Sequence, residues 1–142
     1  MTQYVVGFAF TENRQEVALI QKARSRSGFE WMIGKMNGIG GKVQGKENPF
    51  IAMSREFHEE SGVVICPLDW RWCGKFSGED YEVIVFSVFS DKLRGVHTCS
   101  EEGEIHLVRV ADISELPTVA NLDWLIPLVM KRDLTAFEVM EK

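Results

Sequence analysis

Residues 55–62 read REFHEESG, which sets Glu56, Glu59 and Glu60 within five positions, with Arg55 beside them. Carboxylates this close repel unless a cation lies between them. On a helix, Glu59 and Glu60 are i+3 and i+4 from Glu56, so the three project from one side, over roughly 100°. The helix that would carry them spans about 48–61. Asn48 fits its N-cap, Pro49 its first turn and Gly62 its stop. Phe50, Met53 and Phe57 form an apolar stripe that the acids do not share. A solvated acidic face is one reading. Two features count against it. The acids lie near the C-terminal end, where the helix dipole disfavours negative charge. They also follow a glycine-rich stretch, NGIGGKVQGKE, that brings backbone close to something. A cluster of carboxylate oxygens suits a hard divalent cation such as Mg²⁺.

The elements that must position these acids are legible in outline. YVVGFAFT (4–11), EVALIQKA (16–23), YEVIVFSVF (81–89) and EIHLVRV (104–110) read as strands. Residues 24–34 read as a loop, and MNGIGGKV (36–43) is short and glycine-rich. VVICPLDWRWCGKF (63–76) reads as mostly extended, with a break at Pro67. NLDWLIPLVMKRDL (121–134) reads as a last helix despite Pro127, and FEVME as a terminal strand. Strands and helices are interspersed along the chain, which predicts a sheet with helices packed on it.

Composition bounds the function. The chain has 142 residues, 45% hydrophobic and 26% charged, which predicts one globular domain over 1–142. A net charge of −5 argues against a broad nucleic-acid or membrane surface. No apolar run approaches the ~20 residues of a membrane span. MTQYVV shows no basic segment followed by an apolar one, so no secretory signal is expected. Cys66, Cys73 and Cys99 are odd in number and lack CxxC spacing, which predicts reduced thiols in a cytoplasmic protein.

Residues 41–63, GKVQGKENPFIAMSREFHEESGV, resemble the Nudix box, G-x5-E-x7-R-E-U-x-E-E-x-G-U, with U a bulky apolar residue. The match is Gly41, Glu47, Arg55, Glu56, Phe57, Glu59, Glu60, Gly62 and Val63, and no required position is broken. The resemblance implies the Nudix fold: an α/β/α sandwich with a mixed β-sheet, in which the box forms a loop–helix–loop. It implies hydrolysis of a nucleoside diphosphate linked to a further group, with Mg²⁺ or Mn²⁺. Glu56, Glu59 and Glu60 would bind metal, with Glu56 alternatively serving or orienting the general base. The carbonyl of Gly40 would be a further ligand. Glu47 would steady the loop against the helix, and Arg55 would orient the glutamates. A further acid often completes the site in this family. Glu102 in SEEGE (100–104) is the expected one, ahead of Glu101, against the reading of an exposed turn. Lys42 is either a phosphate contact or a solvated strand residue.

Substrate is less legible. KMNGIGGKVQ and NLDWLIPLVMKRDLTAFEV resemble segments of the oxidised-purine nucleoside triphosphatases of this family. By that resemblance Asn37 occupies a base-reading position, and an amide can donate and accept on a purine edge. Asn121 falls where that branch has a base-reading aspartate, or is simply a helix N-cap. Ala120 replaces the neighbouring aspartate and Thr118 a pocket tryptophan. Trp124 reads as core more than as pocket. Phe8, Phe10 or Trp31 could stack on a base, although the two phenylalanines read more simply as core. The expectation is a Mg²⁺-dependent hydrolase of a purine deoxynucleoside triphosphate such as 8-oxo-dGTP. ADP-ribose and diadenosine polyphosphates are alternatives, as is a non-catalytic nucleotide-binding module. The expected partner is a small nucleotide, with no nucleic acid or membrane, on a monomer or homodimer.

Overall fold

The computed structural model describes residues 1–25, 27–131, 133 and 136–141. Its centre is β1 (Thr2–Phe10), which runs parallel to β6 (Tyr81–Phe89) in unbroken register from Thr2↔Tyr81 to Phe10↔Phe89. The other edge of β1 is shared. At its C-terminal end it pairs antiparallel with β2 (Glu16–Lys22), through Ala9↔Ala18 and Phe10↔Val17. The two strands then diverge. Into the gap come β3 (Met36–Asn37), which pairs with β2, and β4 (Ile39–Lys42), which pairs with β1 from Tyr4↔Lys42 to Gly7↔Ile39. This splay delivers the glycine-rich stretch to the middle of the sheet.

Four more strands complete the sheet. β5 (Arg71–Ser77) pairs with β6 and with β9 (Phe137–Met140) on one side. β8 (Gly103–Arg109) pairs with β2 on the other, and β7 (His97–Cys99) forms the edge beyond it. The sheet mixes parallel and antiparallel pairs.

Alternation along the strands separates two cores, because successive strand side chains point to opposite faces. Val5, Ala9, Ala18, Ile20, Ile84 and Phe86 pack with Ala52, Met53 and Phe57 of α1 (Pro49–Ser61). Phe8, Phe10, Val17, Leu19 and Val85 pack with Leu122, Leu125, Ile126 and Val129 of α2 (Leu122–Val129). The result is the expected α/β/α arrangement. Each fully buried side chain of this size contributes about 1.5–3 kcal/mol.

The first helix matches the sequence reading. Asn48 Oδ1 accepts from Phe50 N at 2.8 Å, and Gly62 ends the helix at φ 76°. That left-handed conformation is strained for residues with a Cβ. The last helix is a correction. It ends at Val129, short of the expected 134, with Met130 as its C-cap. Pro127 has no amide hydrogen for the Asp123 carbonyl, and the apolar run gives way to Lys131 and Asp133. The expected tail at Arg132 and Leu134 lies outside the described residues. Residues 63–76 match the reading of an extended segment broken at Pro67: a 3₁₀ turn at Pro67–Asp69 interrupts it, and the paired strand β5 begins at Arg71. One further correction concerns an edge strand. β7 was not expected at all. It is a three-residue edge strand whose pattern is too short to read.

Candidate active site

Arg55 organises the glutamates. Its Nε and Nη2 form a two-point bond to Glu47, at 2.8 and 3.0 Å. Its Nη1 reaches Glu56 at 3.0 Å and Glu59 at 3.2 Å, and Nη2 also donates to the Lys42 carbonyl at 3.1 Å. One planar guanidinium thus ties the loop, β4 and the helix together, which a lysine's point charge could not do. The Glu47 hydrogen bond, followed by those to Glu56 and Glu59, holds the Arg55 guanidinium even more firmly protonated than usual. Glu47 in turn is held below the usual carboxylate range, chiefly by the Arg55 bond and also by the Gln44 amide.

Two of the acids are shifted the other way. Burial pushes the Glu56 carboxyl up, against the opposing pull of Arg55. Burial also pushes Glu60 up, and the nearby charges of Glu102 and Glu56 push it further. Among the described residues, Arg55 makes no hydrogen bond to Glu60, whose carboxylate accepts from Ser100 Oγ at 3.4 Å. Negative charge is therefore concentrated where desolvation already opposes it. A hard cation relieves both penalties.

Backbone clearance fits the same picture. A Cβ on Gly41 would lie 2.5 Å from the Glu56 carboxylate, and one on Gly40 would lie 1.9 Å from the Val5 carbonyl. The strand therefore passes flush against Glu56, and only glycine leaves that carboxylate its place. Glu56, Glu59, Glu60, Glu102 and Gly40 all line one cavity. The all-oxygen donor set suits Mg²⁺ or Mn²⁺ rather than a thiol-seeking metal. Gly41→Ala is expected to displace Glu56 while keeping the fold. It should lower kcat by about 10- to 100-fold with little change in melting temperature, checked by paired kinetics and thermal melts.

The cavity, about 850 Å³, runs from these acids along the splay between β1 and β2. Glu102 enters it from the turn between β7 and β8. There it accepts from Arg24 Nη2 at 2.9 Å and lies 4.0 Å from Lys22. Glu101 contacts Arg24 at 3.3 Å but is 85% exposed and does not line the cavity. Asn37 and Asn121 both line it as well. Asn37 Oδ1 accepts from the Gly38 amide at 2.8 Å. Asn121 stands at the N-cap position of α2, where its carbonyl accepts from Leu125 N at 3.0 Å, but its side chain makes no capping hydrogen bond and is left to the cavity.

Other expected residues fall differently. Phe8 borders the cavity but is fully buried, so it is floor rather than a free stacking face. Phe10 packs on Phe89 at 5.5 Å, in the core. Lys42 is exposed and outside the lining, as a solvated strand residue would be. Trp124 is neither core nor pocket: it is 43% exposed against Phe76. Trp31 lines the cavity from the 24–34 loop, half-exposed, with Lys35 Nζ 5.4 Å from its ring centroid. Sequence reasoning missed Lys22 and Arg24. Lys22 ends strand β2 and Arg24 lies two residues beyond it, and basic residues leaving a strand toward a glycine-rich segment were the available signal.

A family model of the NUDIX domain matches residues 1–129. The chain belongs to the NUDIX domain family. Comparison with curated proteins finds no match. Among solved structures, this Nudix chain is similar to a mutator MutT protein from Bacillus halodurans. The TM-score is 0.72 at 19% identity, covering 97% of this chain and 90% of that one. It is also similar to the NUDIX domain of Shewanella oneidensis NrtR complexed with ADP ribose. There the TM-score is 0.70 at 15% identity, covering 88% of this chain and 83% of that one. A third is a bifunctional NMN adenylyltransferase/ADP ribose pyrophosphatase from Francisella tularensis, complexed with AMP and a Mn ion. It gives a TM-score of 0.71 at 12% identity, covering 91% of this chain and 41% of that one. At these identities the neighbours establish a shared fold. Family membership makes the protein a Nudix hydrolase.

Proposed function

We propose that this Nudix hydrolase cleaves a nucleoside triphosphate with Mg²⁺, releasing the monophosphate and pyrophosphate, and that it prefers a purine deoxynucleotide. The supporting observation is one cavity lined both by the acids and by Asn37 and Asn121. Its volume lies within the ~300–1,000 Å³ usual for small-molecule sites. The proposal carries with it a single cytoplasmic domain acting on a free nucleotide.

In this reading Glu56, Glu59, Glu60 and the Gly40 carbonyl hold the cation, with Glu102 facing them. Bound there, the cation offsets the polyphosphate charge and stabilises the attacking and leaving oxygens. Arg55 keeps Glu56 and Glu59 from turning away. Lys22 and Arg24 present basic groups to phosphate oxygens, and Arg24 releases Glu102 as it does so. Asn37 and Asn121 address the base edge, and the Trp31 ring offers it an aromatic face. Of the oxidised purine nucleotides, 8-oxo-dGTP is the one the local sequence resemblance favours. Ala120 lines the cavity where that branch carries an aspartate, so base selection falls on amides that both donate and accept.

A second reading is ADP-ribose. It is favoured by two structural neighbours, one complexed with ADP ribose and one an ADP ribose pyrophosphatase. Product analysis with Mg²⁺ and a panel of NTPs, dNTPs, 8-oxo-dGTP, ADP-ribose and diadenosine polyphosphates separates the two. Preferred release of pyrophosphate from a triphosphate supports the first reading. Preferred cleavage of ADP-ribose replaces it with the second. With the preferred triphosphate, Asn37→Ala is expected to raise KM by about 10- to 100-fold with kcat nearly unchanged. An unchanged KM would remove Asn37 from base recognition.

A further inference from the structure

The β7–β8 edge gathers donors of a different kind from the oxygen-lined cavity. In its antiparallel register His97 faces His106 and Cys99 faces Glu104, with Thr98↔Ile105 between them. Alternation puts Thr98 and Ile105 on one face, and they are spoken for. Thr98 Oγ1 donates to the Glu60 carbonyl at 2.8 Å, and Ile105 is buried in the α1-side core. The other face therefore carries His97, Cys99, Glu104 and His106 as a two-by-two block.

These side chains already converge. Donor atoms of His97, Cys99 and Glu104 all lie within 4.8 Å of one another. His106 Nε2 is 3.4 Å from the same Glu104 oxygen that His97 Nε2 approaches at 2.6 Å. The two imidazoles stack at 4.9 Å. Around a tetrahedral zinc ion with bonds of about 2.0–2.3 Å, donors stand roughly 3.3–3.7 Å apart. Reaching that geometry requires opening the His97–Glu104 hydrogen bond by less than about an ångström and drawing in the Cys99 sulfur and the His106 ring, which stands outside the group of donors within 4.8 Å of one another. None of the four residues lines the cavity described above.

We propose that His97, Cys99, Glu104 and His106 form a zinc-class metal site on the sheet edge, separate from the catalytic glutamates. Two imidazoles, one thiolate and one carboxylate make a mixed N, S and O set that selects zinc over Mg²⁺. One thiolate and one carboxylate also neutralise the charge of a divalent ion. Four protein ligands leave no open position, so the role is structural. Cys99 and Glu104 flank the turn Ser100–Gly103, which carries Glu102 into the cavity. The bound ion closes the base of that turn.

Cobalt serves as the probe, added to the reduced protein in excess Mg²⁺ so that the glutamates are occupied. The expected spectrum has the strong visible bands of tetrahedral cobalt and a thiolate charge-transfer band, both displaced by one equivalent of Zn²⁺. Cys99→Ser should abolish the charge-transfer band. His97→Ala and His106→Ala should each weaken Zn²⁺ binding at least about 100-fold, more than loss of an outer partner does. His97 and Cys99 are exposed and His106 partly so, so the variants should keep their fold, which circular dichroism verifies. The double variant Glu56→Gln, Glu60→Gln should bind cobalt as the parent does. A pale octahedral spectrum, a charge-transfer band that survives Cys99→Ser, or one that vanishes in Cys66→Ser would overturn the proposal. So would loss of binding in the double glutamine variant.

Discussion

Glu60→Gln is expected to lower kcat by about 10²–10⁴-fold and, at the same time, to stabilise the metal-free protein at neutral pH. The two effects share one cause. Glu60 is half-buried, beyond the reach of Arg55, and faces the charges of Glu102 and Glu56. Its carboxyl is pushed up, so the folded state binds a proton more tightly than the unfolded chain does. Such a group favours folding while protonated and loses that contribution as pH rises through its folded pKa. Glu56 acts in the same direction, because burial pushes it up too. Glu47 acts oppositely. Its Arg55 partner holds it low, so its contribution is present above the usual carboxylate range and is lost as pH falls.

The metal-free protein should therefore be most stable in mildly acid solution and weaken toward neutrality. Added Mg²⁺ should restore the neutral-pH stability by binding the folded state. Thermal melts across pH, with and without Mg²⁺, check this. Glu60→Gln should flatten the curve and raise the neutral metal-free melting temperature by a few degrees, ~1 kcal/mol being worth about 2–8 °C. A variant that loses activity but melts as the parent does at every pH would leave Glu60 catalytic and remove the electrostatic account of its environment.

Arg55→Ala is expected to cost about 2–4 kcal/mol of stability and nearly all activity. The guanidinium satisfies Glu47, Glu56, Glu59 and the Lys42 carbonyl at once. Truncation leaves three carboxylates of one charge sign without their shared partner. Two of them are substantially buried, with Glu47 15% and Glu56 12% exposed at the side chain. Arg55→Lys should recover part of the charge but not the two-point bond to Glu47, so stability should return further than kcat. Urea denaturation gives the first quantity and steady-state kinetics the second. Equal recovery of both would mean that charge alone, and not the planar fork, positions the acids.

Much of this was legible in the sequence, and for a local reason. The helix of 49–61 is specified by its own cap, its apolar stripe and its stop, and three acids at i, i+3 and i+4 share a side whatever surrounds them. Strand β6 was legible from end to end because a buried central strand is a continuous apolar run bounded by polar residues. The tertiary structure decided whatever depends on two distant segments meeting. That Asn121 caps α2 without its side chain, that Phe8 is floor rather than face, and that Lys42 lies outside the cavity depend on how distant segments pack together. Lys22 and Arg24 acquire meaning only because the β7–β8 turn brings Glu102 against them. The two imidazoles, the thiol and the carboxylate of the sheet edge are spread over 97–106, a spacing that matches no metal motif. A register of paired strands, which no single segment encodes, places them on one face.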